Sequence, residues 1–299
     1  MLEVIWHGRG GQGAFTAARL LGAAASFNEG IYSLAFPSFG PERRGAPMRA
    51  FTKADSSPIG DRSETKKAEC IIYLDDTLFH EGWEDELKPD GFVLLNTKQD
   101  FDDERVTCID ASGIAEEILG RDIPNTVFVS LICEISDILS LSNAKRAIEE
   151  YMPENLVEKN LKVVDYVSDF NSTEEHLSRI IHTSCSQNSL LDALHSDEMR
   201  PNCKIPKLSS HIPQPEEFSH NTCWQAGFLT TKNSGWRTHR PVVNQVRCTG
   251  CFKCYMDCPD GCIFKAGNGK ISIDYDFCKG CAICSNSCKF GAIEMMPEG

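Results

Sequence analysis

The sequence predicts an α/β domain, with a mainly parallel sheet flanked by helices, followed by a small α+β module organised around cysteines. Three observations lead there. Strand-length apolar runs alternate with helix-length amphipathic stretches over the first 180 or so residues. The composition then turns to Ser, Asn, Pro and His. Beyond that, eight of the chain's fifteen cysteines fall in two runs of identical spacing. At 299 residues, 41% of them hydrophobic, the chain is long enough for two cores. The expected boundaries are 1–182 for the α/β domain, 183–235 for an extended linker or arm, and 236–299 for the cysteine module.

The first element is a strand over Leu2–His7, followed by the glycine turn Gly8-Arg9-Gly10-Gly11-Gln12-Gly13. A helix over Ala14–Phe27 comes next, with Ala17, Ala18, Leu20, Leu21 and Ala24 at packing positions. Strands are expected at Tyr32–Phe36, Met48–Thr52, Cys70–Leu74, Phe92–Leu95 and Val106–Ile109. Helical patterns cover Ile114–Leu119, Val127–Leu141, Asn143–Tyr151 and Glu154–Val167.

The turn matches G-x-G-x-x-G between a strand and a helix. A dinucleotide fold also needs an acidic residue closing the second strand, to hold the ribose. Here that strand runs into Pro37-Ser38-Phe39-Gly40, and Glu29 lies before it. An NAD(P)-dependent oxidoreductase with a cluster-bearing tail is therefore the rival reading. What remains is a helix N-terminus beside Arg9, suited to an anion or to another subunit. Pro41-Glu42-Arg43-Arg44-Gly45 forms a second loop, where Arg43 and Arg44 belong to a solvated face or meet a carboxylate or phosphate. In the 183–235 segment, Pro201, Pro206, Pro213 and Pro215 break any periodicity. Trp224, Phe228 and Trp236 favour an arm lying on a partner over a free tether.

The runs are Cys248, Cys251, Cys254, Cys258 and Cys278, Cys281, Cys284, Cys288, each C-x2-C-x2-C-x3-C. This is the spacing with which bacterial two-cluster ferredoxins hold 4Fe–4S cubanes, the fourth cysteine of each run serving the other cluster. The second module is thus expected to be a small α+β bacterial two-cluster ferredoxin-like domain with two 4Fe–4S clusters. Cys248, Cys251, Cys254 and Cys288 are assigned to cluster 1, and Cys278, Cys281, Cys284 and Cys258 to cluster 2. Gly250 and Gly280 allow tight backbone between ligands, and Ile263 and Ile293 follow at matching offsets as walls. Zinc sites pair C-x2-C units rather than using such runs. Pro259 follows the first run, whereas Lys289 follows the second. Cys262, off the pattern, is read as a small buried residue.

Glu3, His7 and Arg9 interrupt the N-terminus before a signal-peptide core could form. A reducing, cytoplasmic setting is therefore expected, with cysteines serving metal rather than disulfides. The net charge of −13 argues against nucleic acid as a partner, and the lack of an 18-residue apolar run argues against a membrane.

His7-Gly8-Arg9-Gly10-Gly11-Gln12-Gly13 with its alanine-rich helix, and Phe39-Gly40-Pro41-Glu42-Arg43-Arg44-Gly45, resemble the γ domain of the 2-oxoacid:ferredoxin oxidoreductases. Trp236-Arg237-x-x-Arg240-Pro241-Val242-Val243, leading into the cysteine runs, resembles the δ subunit of the same enzymes. The resemblance implies a fused γ–δ subunit carrying no catalytic residue of its own. In such enzymes α and β subunits bind thiamine diphosphate and Mg2+ and decarboxylate a 2-oxoacid. Clusters then carry the electrons to ferredoxin, and coenzyme A usually takes the acyl group. In keeping with this, the chain lacks the G-D-G pattern that holds the diphosphate. The resemblance also implies a dimer of heterotrimers, and a place for Arg9, Arg43 and Arg44 near coenzyme A phosphates or a partner. Pyruvate is the substrate expected first. A γ–δ fusion is also the arrangement of oxalate oxidoreductase, which needs no coenzyme A.

Overall fold

A computed structural model describes residues 1–38, 45–136, 138–171 and 234–298. Arg43 and Arg44 lie outside these residues, as do the 183–233 part of the expected arm, Trp224 and Phe228. The described residues form two units. Met1–Pro58 groups with 64–171, and Ile59–Ser63 groups with 234–298.

The first unit is a six-stranded sheet in the order β2-β3-β1-β4-β5-β6. Its strands are β1 (Leu2–Arg9), β2 (Tyr32–Pro37), β3 (Pro47–Asp55), β4 (Ala68–Tyr73), β5 (Leu87–Asn96) and β6 (Val106–Ile109). The β1–β4, β4–β5 and β5–β6 pairings are parallel. Only β3 runs against the rest, pairing β1 from Leu2↔Ala54 to Arg9↔Pro47 and pairing β2 on its other side. Val4, Ile5 and Trp6 are all fully buried, which is why the middle of β1 reads as an unbroken apolar run rather than an alternation.

On one face, helix α1 (Ala14–Ser26) packs on β1, β2 and β3. Its buried residues Ala17, Ala18, Gly22 and Ala24 are small enough to let sheet hydroxyls reach its backbone. Thr52 Oγ1 donates to the Ala18 carbonyl at 3.0 Å, and Ser33 Oγ donates to that of Gly22 at 2.6 Å. Trp6 Nε1 donates in turn to Thr52 Oγ1 at 3.0 Å, so the buried polar atoms here are paired. Trp6→Ala leaves a cavity and takes a donor from Thr52. The expected cost is about 3–5 kcal/mol, read as a lower urea midpoint in far-UV circular dichroism; a loss below about 1 kcal/mol would contradict this packing.

The other face carries Ile5, Phe51, Ile71, Tyr73, Val93 and Leu95. It is covered by aromatic residues of the 76–86 excursion, with Phe79 at 5.2 Å from Tyr73 and 5.8 Å from Trp83.

Helices α2 (Ala111–Leu119), α3 (Asn125–Ile135), α4 (Leu141–Tyr151) and α5 (Glu154–Asn171) complete the unit. The Asp110 carboxylate caps α2 by accepting from Gly113 N, and Gly120 ends it at φ +70°. The helix expected over Val127–Leu141 stops at Ile135. Ser136 is extended, and the Ser140 hydroxyl accepts from Asn143 N to start α4. Serine side chains that bond backbone locally override the apolar periodicity there. Among the described residues, no helix is long and apolar enough to cross a membrane.

The second unit has two antiparallel ribbons. β7 (His239–Val243) pairs with β10 (Ile293–Pro297), and β8 (Ile263–Lys265) pairs with β9 (Ile271–Ile273). Two one-turn helices, α6 (Lys253–Asp257) and α7 (Ile283–Ser287), pack on each other. A shift of 30 residues maps α6 onto α7, and Gly250, Phe252 and Gly261 onto Gly280, Ala282 and Gly291. All six of those residues have positive φ. Trp236, at the start of this unit, is exposed.

Candidate metal centre

Each cysteine run folds in the same way. A left-handed glycine stands directly before the second cysteine, with Gly250 at φ +70° and Gly280 at φ +72°. Next comes a left-handed non-glycine residue, Phe252 (φ 55°) or Ala282 (φ 63°), which caps the short helix. The fourth cysteine, Cys258 or Cys288, is extended. Two left-handed residues so close together roll the chain into a tight loop, in which Cys254, Cys258, Cys278 and Cys284 are buried, Cys248, Cys251 and Cys288 are half-buried and Cys281 is exposed. A non-glycine residue in this region is strained, and nothing in the residue types at 252 and 282 announced it. At Gly250 an added Cβ would sit 2.2 Å from the Gly269 carbonyl oxygen, and at Gly280 2.5 Å from that of His239.

One cavity is lined by Cys258 from the first run and by Cys278, Cys281 and Cys284 from the second, with Pro241, Ile263 and Ile273 as apolar wall. Cys262 also lines it. Burial, and then the like charges of Cys258, Cys278 and Cys281, push the Cys284 thiol up to about 12. Burial, followed by Cys251, Cys284 and Cys248, likewise raises Cys254. Cys248, Cys251 and Cys284 are thus all near enough to Cys254 for their charges to act on it. Cys288 is half-buried and accepts from Ala292 N at 3.3 Å. Thiolates crowded in this way suit a cationic core that offsets their repulsion. Among the described residues, no three His, Cys, Asp or Glu side chains converge tightly enough to hold a single metal ion. The donor set, all sulfur and spread around an apolar-walled cavity, fits a cubane.

Backbone amides aim at these sulfurs. Cys254 accepts from Tyr255 N–H and Cys284 from Ser285 N–H. Cys258 accepts from the amides of Asp260 and Cys262, and its Sγ lies 3.6 Å from that of Cys262. The Cys262 thiol contact is the main cause pulling Cys258 down, and the same contact holds Cys262 up. Arg237 ties the entry strand to the second run by donating to the Cys278 carbonyl at 2.8 Å and pairing with Glu298. Lys279 and Asp260 join the two runs at 3.1 Å.

In the first unit, the glycine turn is stitched to the segment that follows the second loop. Gly10 N donates to Ala46 O, and Gly45 N donates to Gly10 O, both at 2.9 Å. Arg9 is taken up by protein partners: Nε donates to Asp75 Oδ2 at 3.0 Å, Nη2 to Thr77 Oγ1 at 2.7 Å, and Nη1 to the Gly45 carbonyl at 3.2 Å. Gln12 Nε2 also donates to Asp75 Oδ2. His7 stacks on Tyr73 at 4.5 Å and bonds Glu86 at 2.7 Å, and Arg49 donates to Glu86 at 3.0 Å. Glu86 and Arg49 are far from His7 in sequence, and no local pattern pointed to them. The His7 hydrogen bond, foremost, lowers the Glu86 pKa. A lowered carboxylate pKa stabilises the fold above the unfolded value, about 4.3, and that stability is lost as pH falls through the folded value. Glu86→Gln is expected to flatten this acid-side loss in denaturation midpoints measured from pH 6 to 3; an unchanged slope would assign it elsewhere.

Residues 3–170 match the pyruvate ferredoxin/flavodoxin oxidoreductase family. The chain belongs to that family. Residues 271–294 match the 4Fe–4S binding domain, so a domain of the oxidoreductase family and an iron–sulfur domain share this polypeptide. Pyruvate synthase subunit PorC of Methanothermobacter thermautotrophicus is 45% identical over 167 residues, which cover 54% of this chain and 90% of that protein. The pyruvate/ketoisovalerate oxidoreductases common subunit gamma of Thermococcus kodakarensis is 38% identical over 183 residues, covering 58% and 97%. The crystal structure of pyruvate oxidoreductase subunit PORC of Thermotoga maritima is 30% identical. It aligns over 56% of this chain and 95% of its own with a TM-score of 0.48.

Proposed function

We propose that this chain is the γ–δ electron-transfer subunit of a thiamine diphosphate-dependent 2-oxoacid:ferredoxin oxidoreductase. On this reading it carries electrons from a decarboxylation site on α and β subunits to ferredoxin. The observation that supports it most is the cavity where Cys258 meets Cys278, Cys281 and Cys284, in a chain whose other unit belongs to the oxidoreductase family. Cys278, Cys281, Cys284 and Cys258 would hold one 4Fe–4S cluster, and Cys248, Cys251, Cys254 and Cys288 the other. Bound there, the clusters supply one-electron carriers of low potential.

The chain's own residues set the conditions for that transfer. Backbone amides at 255, 260, 262 and 285 stabilise the thiolates. Ile263 and Ile273 give the sulfur cavity part of its apolar wall. Arg237 and the Lys279–Asp260 pair hold the two runs in place. The names of the relatives favour pyruvate as substrate; coenzyme A as co-substrate follows from the family resemblance of the glycine turn and the cysteine module. The purified complex, turned over anaerobically with pyruvate and with oxalate, each with and without coenzyme A, tests this. Ferredoxin reduction that needs both pyruvate and coenzyme A is expected. Turnover of oxalate without coenzyme A would reassign the substrate, and iron far below about eight per chain would overturn the electron-transfer role.

A further inference from the structure

The cavity at the second cysteine run holds five sulfurs where one cubane takes four thiolates. The fifth is Cys262, 2% exposed, lining the same space as Cys258, Cys278, Cys281 and Cys284. Its Sγ is 3.6 Å from Cys258 Sγ. The internal repeat provides a comparison within the molecule. The 30-residue shift places Cys262 on Ala292, and both residues direct their backbone N–H at the fourth cysteine of their run. Gly261 and Gly291, just before them, are both left-handed. The backbone at this position therefore has no need of a thiol, since the other half serves Cys288 with an alanine. Only the side of Cys258 carries an additional sulfur.

We propose that Cys262 is a positioning thiol and reserve ligand of the cluster 2 site. With Cys258 present, Cys262 donates S–H···S to it. Cys258 already accepts two backbone amides, so it is the acceptor of the pair. A further donor to a ligand sulfur draws charge from it and raises the cluster's potential. With Cys258 gone, Cys262 loses its proton to solvent and forms the iron–sulfur bond that Cys258 otherwise makes, with no change in oxidation state. The two clusters are made inequivalent by this residue. The inference rests on the electron-transfer reading above.

The test uses the full chain, reconstituted anaerobically with iron and sulfide. The unmodified chain should bind about eight irons; far fewer would overturn the parent reading and this one with it. Cys258→Ala should also keep about eight irons, while Cys258→Ala with Cys262→Ala should fall to about four. A fall to about four in Cys258→Ala alone would overturn the reserve role while leaving the parent reading intact. Cys262→Ala, which copies the residue that the repeat carries at Ala292, should fold and keep about eight irons. In a titration followed by electron paramagnetic resonance, it should move one cluster to a more negative potential and leave the other in place. Cys262→Ser should recover part of that shift. Two unchanged potentials in Cys262→Ala would overturn the positioning role.

Discussion

Cys254→Ala is expected to bind about four irons in place of about eight and to pass no electrons to ferredoxin. Decarboxylation on the partner subunits should remain measurable through whatever intermediate accumulates there. Cys254 is buried on α6, and the charges it feels come from Cys248, Cys251 and Cys284. Its sulfur is thus near cysteines of both runs. Cys262 lines the cavity with Cys258, and Cys254 does not line it, so Cys262 is not placed to replace Cys254 as it is placed to replace Cys258. Iron analysis and ferredoxin reduction by the reconstituted complex give the readout. Undiminished electron transfer would sink the assignment of Cys254 as a ligand.

Gly250→Ala is expected to destabilise the cysteine module by about 3 kcal/mol or more and to lower its iron content. Two effects add. The residue has φ +70°, where an L side chain costs about 1–2 kcal/mol. Its new Cβ would also lie 2.2 Å from the Gly269 carbonyl oxygen, a backbone atom that moves only with the 266–270 turn. Gly269→Ala is the control, because it has φ +72° but nothing within 4 Å of an added Cβ. It should show the conformational cost alone, about 1–2 kcal/mol. Thermal denaturation of the reconstituted chain separates the two, and equal losses would mean that the contact contributes nothing.

Much of this was legible in the residues. The strand β6 begins and ends where its apolar run does, and the other strands of the first sheet differ from expectation mainly by extra residues at their ends. Strand runs declare themselves because both faces of the central strands are buried. The end of α3 was not legible, because Ser136 and Ser140 interrupt a pattern that stays apolar through Leu139. Nor was the second face of the sheet, where Phe79 and Trp83 cover Tyr73 from an excursion with no regular period. In the cysteine module, the C-x2-C-x2-C-x3-C spacing announces the four sulfurs of each run. The strain at Phe252 and Ala282 is set by closing the loop and not by the side chains. The His7–Glu86–Arg49 group joins β1 and β3 to the end of the 76–86 excursion, and pairings at such separations leave no local trace.

The pairing of β7 with β10 joins the segment before the first cysteine run to the segment after the second. The module is therefore a clasp: its first strand stays without its sheet partner until its last strand exists. With ligands crossed between the runs as proposed, a nascent chain that has emerged only through Cys258 can complete neither centre. Iron delivered at that stage would find three thiolates and an open edge, a state prone to oxidation and loss. On that proposal, cluster insertion follows synthesis of the module through Cys288, and the form that accepts iron is the metal-free module already translated.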